Sequence, residues 1–308
     1  MTADLTDPIF TNEAKAIEHM EASRWGADLS ALNCPLCGSA KCKKMGGTTQ
    51  AGMFLCSDCR GKFTVRTGSV FERSHIPLHK WLLATHLMAS SKKGISAHQL
   101  HRMLGITYKS AWFMSHRIRE AMSPSKKERN TRLGGEGKVV EADETYIGRK
   151  KDRTAPKGGA GHNHAVVALV ERGGVVRSFY KPSLSQIDVR KTLRDNVEFD
   201  THLRTDESTL YGSLKHTYAS HERVNHAKDE YVRGDAYTNT IEGVFSIFKR
   251  GMIGTYQHCG EQHLQRYLNE FDFRYSNRTA LGVSDVGRAD RILKGAEGKR
   301  LTYRQRAH

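Results

Sequence analysis

Two Cys-x-x-Cys pairs constrain this chain more than any other feature: CPLC at 34–37 and CSDC at 56–59, with eighteen residues between them. Two tight turns of this kind can present four thiolates tetrahedrally, so Cys34, Cys37, Cys56 and Cys59 are expected to hold a structural Zn2+. A segment this short builds little core of its own, and metal binding would supply much of its folding energy. Four thiolates close the coordination shell, so catalysis is not expected at this ion. Cys42, between the knuckles, is expected to be a bystander, and the distant Cys259 a free thiol. The ribbon also carries Lys41, Lys43, Lys44, Arg60, Lys62 and Arg66, which suits contact with phosphates.

Spaced cysteines hold metal more often than disulfides in a reducing compartment. The N-terminus, MTADLTDPIFTNEAKAIEHMEAS, agrees: it lacks the basic start and apolar stretch of a signal peptide. No apolar run approaches the roughly 20 residues that span a bilayer. The expectation is a cytoplasmic protein without membrane contact. Its net charge of +16 points to a polyanionic partner, nucleic acid first. At 308 residues it has room for two or three small units with one sizeable core.

The pattern divides the chain into six segments. Residues 1–29 form an N-terminal helical segment, with Ile17, Met20 and Trp25 on one apolar side. The zinc ribbon takes 30–70, a helix-turn-helix region 77–122, and a polar Pro/Gly-containing linker 123–137. An α/β domain follows over 138–280, and then a basic, weakly patterned tail over 281–308. In KKGISAHQLHRMLGITYKSAWFMSHRIREAM, Ser96 can cap a helix holding Ala97, Leu100 and Met103. Thr107 can cap a second, with Ala111, Trp112, Ser115, Ile118 and Met122 at helical spacing. That second helix would offer Lys109, His116, Arg117 and Arg119 to DNA. A plain helical bundle is the alternative.

In the α/β region, KVVEADETYIG, HAVVALVERGG and VVRSFYKPSLS read as strands, with a tight hairpin at the GG pair 173–174. A helix near 185–197, the strand HLRTD at 202–206, a helix over 208–219 and a last strand near 224–226 follow. YTNTIEGVFSIFKRGMIGTYQH, 237–258, reads as an amphipathic helix running into a Gly-broken basic loop, and 261–278 as an aromatic-rich helix.

Acids embedded in strands are uncommon, because propensity and desolvation both oppose them. Side-chain alternation puts Glu141, Asp143 and Thr145 on one face, and Ala142, Glu144 and Tyr146 on the other. Asp206 ends the HLRTD strand, and Glu242 lies on the 237–258 helix. Asp143, Asp206 and Glu242 could hold two Mg2+ or Mn2+ ions roughly 4 Å apart, the arrangement that cuts phosphodiesters. Glu144 and Glu207 are expected to be solvated neighbours, whereas Glu141 shares the face of Asp143. Lys249 lies seven residues after Glu242, about two helical turns, so the two share a face. There Lys249 would steer a DNA phosphate. The basic insertion GRKKDRTAPKGGAGHNH, 148–164, with Arg149, Lys150 and Lys151, reads as a DNA-contacting loop.

Over residues 30–280 the chain resembles bacterial insertion-sequence transposases of the ISXO-like group, which join a zinc ribbon to an RNase H-like DDE core. The resemblance rests on CPLC…CSDC, TGSVFERSHIPLHKW, KKGISAHQLHRMLGITYKSAW, VEADETYIGRKK, TDES, the 237–258 stretch and HLQRYLNEFDFRYSNR. It implies a mixed sheet flanked by helices, and catalytic roles for Asp143, Asp206 and Glu242, with Lys249 as the basic residue after the glutamate. Some relatives use asparagine in the third position, and Asn239 lies three residues before Glu242; Glu242 is favoured because a carboxylate binds a divalent cation more strongly. Asn239 could cap the helix or touch DNA, and Arg250 joins the DNA-contact set. The expected function is to bind an element's terminal inverted repeats and to cut and join DNA, acting as at least a dimer on transposon ends and target DNA. The alternatives are a catalytically inactive DNA-binding regulator and an RNase H-like nuclease that does not join.

Overall fold

The computed structural model describes residues 4–46, 51–148, 163–212, 214, 217–224 and 238–302. In chain order its helices are α1 (Glu13–Trp25), α2 (Leu78–Ser90), α3 (Ala97–Leu104), α4 (Tyr108–Met122), α5 (Lys126–Asn130), α6 (Gln186–Asn196), α7 (Asn239–Gly251), α8 (Leu264–Ser276) and α9 (Asp285–Gly295). The strands are β1 (Cys42–Lys44), β2 (Phe54–Cys56), β3 (Lys62–Phe63), β4 (Val139–Ile147), β5 (His164–Glu171), β6 (Val176–Lys181), β7 (His202–Asp206) and β8 (Ser220–Val224). The chain forms two compact units. One holds residues up to Ser91, Ile95–Ser123 and from Val283 on; the other holds Lys92–Gly94 and Pro124–Gly282.

In the first unit, β1, β2 and β3 make a small antiparallel sheet. Its apolar face is too small to stand alone, and α1 completes it. The fully buried Trp25 ring meets Phe54 and Phe63 edge-on, at 5.1 and 6.0 Å between centroids. Helix α1 starts where the Asn12 side chain accepts the amides of Ala14 and Lys15. The helix pair α3–α4 is built as its sequence dictates. Ser96 accepts from Gln99 N, Gly105 closes α3 in the left-handed region at φ 59°, and Thr107 accepts from Ser110 N. Leu100 and Leu104 face the core, while Met103, expected inside, is 50% exposed.

The expected basic tail contributes structure instead. Ser284 caps α9, which packs on α2 and α4. Its inner side is only Ile292, Leu293 and the stem of Arg288, whose Nε donates to Ala89 O at 2.9 Å. A stripe that uses a buried arginine as an apolar residue leaves a weak periodic signal.

The second unit is a five-stranded mixed sheet in the order β6-β5-β4-β7-β8. The hairpins β4–β5 and β5–β6 are antiparallel; β7 and β8 add parallel to β4 on its other side. This is the RNase H-like arrangement, with helices on both faces. Val166, Ala168 and Val170 of β5 pack with Ile241, Phe245 and Phe248 of α7 and with α8. Val167 and Leu169 face the opposite side, with Val189 and Leu193 of α6 and Tyr211. The strict alternation along β5, apolar on both faces, is what a central strand covered twice requires.

Two expectations give way here. Where a helix is expected over 208–219, the described residues form only a 3-10 turn, Thr209–Tyr211. The loop expected after α7 is a π-helical turn, Met252–Tyr256. Met252 is buried there and the Tyr256 hydroxyl donates to Glu270 Oε1 at 2.6 Å, so tertiary anchors hold the turn that Gly254 alone would loosen.

Candidate functional site

The ribbon site is local. Gly38, at φ 78°, closes the first knuckle, and Arg60, at φ 56°, takes the same left-handed position in the second. All four sulfurs of Cys34, Cys37, Cys56 and Cys59 lie within 4.8 Å of one another. Cys34 Sγ is 3.7 Å from Cys59 Sγ, and Cys37 Sγ is 3.6 Å from Cys56 Sγ. A tetrahedron with Zn–S bonds of about 2.3 Å has edges of about 3.8 Å, so the four thiols fit a zinc ion. Cys42 is outside the group; its thiol donates to Ser39 O.

The acid site is assembled from distant segments. Parallel pairing sets Ala142 beside Thr205, which brings the next residues side by side: Asp143 in the middle of β4 and Asp206 at the end of β7. Oxygens of Asp143, Asp206 and Glu144 all lie within 4.8 Å of one another. Glu144 thus belongs to the cluster and is not a solvated neighbour. It faces the α6 side as alternation requires, but the buried Tyr211 hydroxyl donates to Glu144 Oε2 at 2.8 Å. Tyr211 sits in the turn directly after Asp206, so one turn positions both. The signal was there to find: a bulky aromatic five residues beyond a strand-end acid.

Burial, then the charge of Asp206, and after it those of Glu144 and Glu242, push the Asp143 carboxyl up to about 7. Glu144 is raised as well, first by burial and then by Asp206, against the Tyr211 hydrogen bond. Crowded, half-buried carboxylates are costly unless a cation offsets them. A donor set made only of carboxylate oxygens suits Mg2+ or Mn2+.

Glu242 lies outside that close group. It is exposed on the first turn of α7, near enough for its charge to act on Asp143, and Thr238 Oγ1 donates to its Oε1 at 3.3 Å. Asn239, Lys249 and Arg250 are exposed on the same helix. Glu141 proves to be a different kind of acid. It is fully buried, accepts Ile241 N from α7 at 2.9 Å, and pairs with Arg172 at 2.7 Å.

The helix expected to face DNA needs correcting. Arg117 and Arg119 are 7% and 1% exposed. Arg117 donates to Glu72 O and lies over the Trp81 and Phe113 rings; burial pulls its guanidinium down to about 10. Arg119 donates to Ser115 Oγ, and His116 packs on Trp112. Arg66 of the ribbon also turns inward, to the carbonyls of Ser74 and Ile76. Lys109, at the start of α4, is exposed as expected. Arg149, Lys150 and Lys151 lie outside the described residues. No helix among the described residues is long and apolar enough to cross a membrane.

Adjacent acids on the central strands of an RNase H-like sheet, behind a four-cysteine ribbon, define a DDE-type transposase architecture. Residues 132–276 match the ISXO2-like transposase domain, and residues 11–62 match the transposase zinc-ribbon domain. The chain thus carries an ISXO2-like transposase domain, preceded in sequence by a transposase zinc ribbon. The ribbon match takes in α1, as the packing of Trp25 would suggest. The chain is also 27% identical over 281 residues to an uncharacterized protein in transposable element ISH50 of Halobacterium salinarum, covering 86% of this chain and 91% of that protein. Two solved structures are more distant. A pre-cleavage Mos1 transpososome is 8% identical over 66% of this chain and 75% of its own, with a TM-score of 0.24. A Mos1 transposase paired-end complex with left transposon end is 12% identical over 65% and 77%, with a TM-score of 0.19.

Proposed function

We propose that this transposase binds the terminal inverted repeats of an insertion sequence, cuts the DNA there and joins the freed ends to target DNA. The observation that carries the reading is the juxtaposition of Asp143 and Asp206 on adjacent parallel strands, with Glu144 in the same close group. Asp143 and Asp206 would hold Mg2+ or Mn2+, with Glu242 reaching in from α7 and Glu144 held alongside by Tyr211. The chemistry supplied by such ions when bound is Lewis-acid activation of the attacking oxygen and charge neutralisation at the leaving one.

The chain's own residues do the rest. In cutting, a water oxygen attacks phosphorus and the P–O3′ bond breaks, leaving a 3′-hydroxyl and a 5′-phosphate. In joining, that 3′-oxygen attacks a target phosphorus and displaces another 3′-oxygen, so one phosphodiester replaces another and no external energy source is needed. Lys249 and Arg250, exposed beyond Glu242 on α7, would hold backbone phosphates, as would Arg149, Lys150 and Lys151 of the insertion. Asn239 would touch DNA beside them. Bringing two ends together calls for at least a dimer.

End recognition falls to the ribbon and to the α3–α4 pair. Between Glu72 and Glu120 the sequence contains no acidic residue. With Arg117 and Arg119 inside, the DNA-facing set moves to the start of α4, where His98 stacks on Tyr108 at 4.2 Å beside the exposed Lys109 and Arg102. In helix-turn-helix modules the beginning of the second helix reads base edges.

The test is a cleavage and joining assay on duplexes bearing the element's ends, in Mg2+ and in Mn2+. The reading predicts metal-dependent nicks at the ends and joined products, both abolished by Asp143→Asn and by Asp206→Asn. Binding without cutting would favour a regulator, and cutting without joining a nuclease. Intact joining in Asp143→Asn would sink the assignment.

A further inference from the structure

Glu141 is the one acid of β4 that the proposed chemistry does not use, and it is wholly buried. Its two oxygens have separate tasks. Oε1 accepts from Arg172 Nε at 2.7 Å, and Oε2 accepts from Ile241 N at 2.9 Å. Arg172 belongs to the β5–β6 hairpin turn, and its own backbone amide is bonded to Val139 O at the start of β4. Ile241 is the third residue of α7, where helix amides have no intrahelical acceptor. Thr238, at the cap position, makes no side-chain capping bond. A carboxylate one hundred residues away in sequence therefore takes the role that a local Ser or Asp usually fills.

We infer that Glu141, oriented by Arg172, is a positioning residue that fixes the start of α7 and with it the approach of Glu242 to Asp143 and Asp206. The geometry makes the coupling short. Glu141 lies two residues before Asp143 on the same strand face, and Ile241 immediately precedes Glu242. One carboxylate thus ties the strand that carries Asp143 to the helix turn that carries Glu242. The apolar contacts of Ile241, Phe245 and Phe248 press α7 onto the sheet, but such contacts are non-directional. A hydrogen bond to a backbone amide sets the helix along its axis, where each residue advances about 1.5 Å. Misplacement of a reacting group by about 1 Å can cost about a hundredfold in rate.

The inference rests on the proposed role of Glu242, and its test separates the two. Full-length wild type, Glu141→Ala, Glu141→Gln and Arg172→Met are compared by amide exchange and by Mn2+ titration followed by electron paramagnetic resonance. In Glu141→Ala, exchange in the first turn of α7 is expected to accelerate at least about tenfold while α8 is unchanged, and Mn2+ affinity to fall several-fold. Glu141→Gln keeps an acceptor oxygen for Ile241 N and should restore most of the protection. Arg172→Met should fall between them, and these two variants carry the test if the alanine variant does not fold. A purely structural role would lower the melting temperature of all three and leave Mn2+ affinity, measured on folded protein, as in wild type; that result would overturn the inference. So would unchanged exchange in α7. Wild-type Mn2+ binding that survives Asp143→Asn would instead count against the active-site reading.

Discussion

The thiolate site and the carboxylate site are both four-residue problems, yet the chain solves them in opposite ways. Cys34, Cys37, Cys56 and Cys59 come from two knuckles in one short segment, and backbone turns aim all four sulfurs. Asp143, Glu144, Asp206 and Glu242 come from two strands and a helix, and packing aims them: the β4–β7 register, Tyr211, and the docking of α7. In the first site the ion would hold the fold together. In the second the fold holds mutually repelling acids together, and the ion would relieve them.

The contrast is broken most visibly by removing metal. Cys56→Ser, or a zinc chelator, should collapse the β1–β3 sheet and expose Trp25, with the melting temperature falling by about 10 °C or more. Zinc content should be one per chain in wild type. Asp143→Asn should do the reverse on stability: with no divalent ion present it removes repulsion, so the melting point stays or rises while cleavage falls by about a thousandfold, equivalent to about 4 kcal/mol of barrier.

A finer cut separates the two glutamates. Glu242→Gln should cost nearly as much cleavage as Asp143→Asn, and Glu144→Gln about tenfold. Equal losses would make Glu144 a full partner. Tyr211→Phe, which removes only the hydroxyl that orients Glu144, should follow Glu144→Gln in rate.

On the α3–α4 pair, proposed to face DNA, the comparison is between exposed and buried cations. Lys109→Ala should weaken duplex binding and reduce the salt slope by about 1. Arg117→Met should destabilise the fold with no change in slope, because its guanidinium is buried against Glu72 O and two rings.

Asp272 serves as a control carboxylate outside the cluster. Burial raises it to about 7, against hydrogen bonds from Ser178. A carboxyl raised in the folded state binds its proton more tightly there than in the unfolded chain. Its contribution is therefore complete at low pH and lost as pH rises from about 4 through about 7. Asp272→Asn should flatten that part of the stability–pH curve, read by thermal melts across the range.

What was legible in the sequence follows the same division. The knuckles, the caps at Ser96 and Thr107, and β4, β5 and β7 are locally encoded, and each forms where its pattern places it. Asp143 and Asp206 were legible because an acid in a strand is conspicuous. Glu144 was not, because alternation sends it to the other face and only the turn after β7 brings a hydroxyl to it. Arg117 and Arg119 mislead for a related reason. On a helix, a guanidinium that lies over aromatic rings or donates to a buried hydroxyl looks in sequence like one that faces DNA. Helix α9 was hidden because a buried arginine fills its apolar side.

Asp143, in the middle of β4, and Asp206, at the end of β7, would together form a divalent-cation site. Crystals of the full-length protein soaked in Mn2+ and measured at the manganese absorption edge test it directly. The account predicts an anomalous peak within ligand distance of both Asp143 and Asp206, lost in Asp143→Asn. Manganese that binds elsewhere, or no peak between those two aspartates in well-ordered crystals, would contradict it.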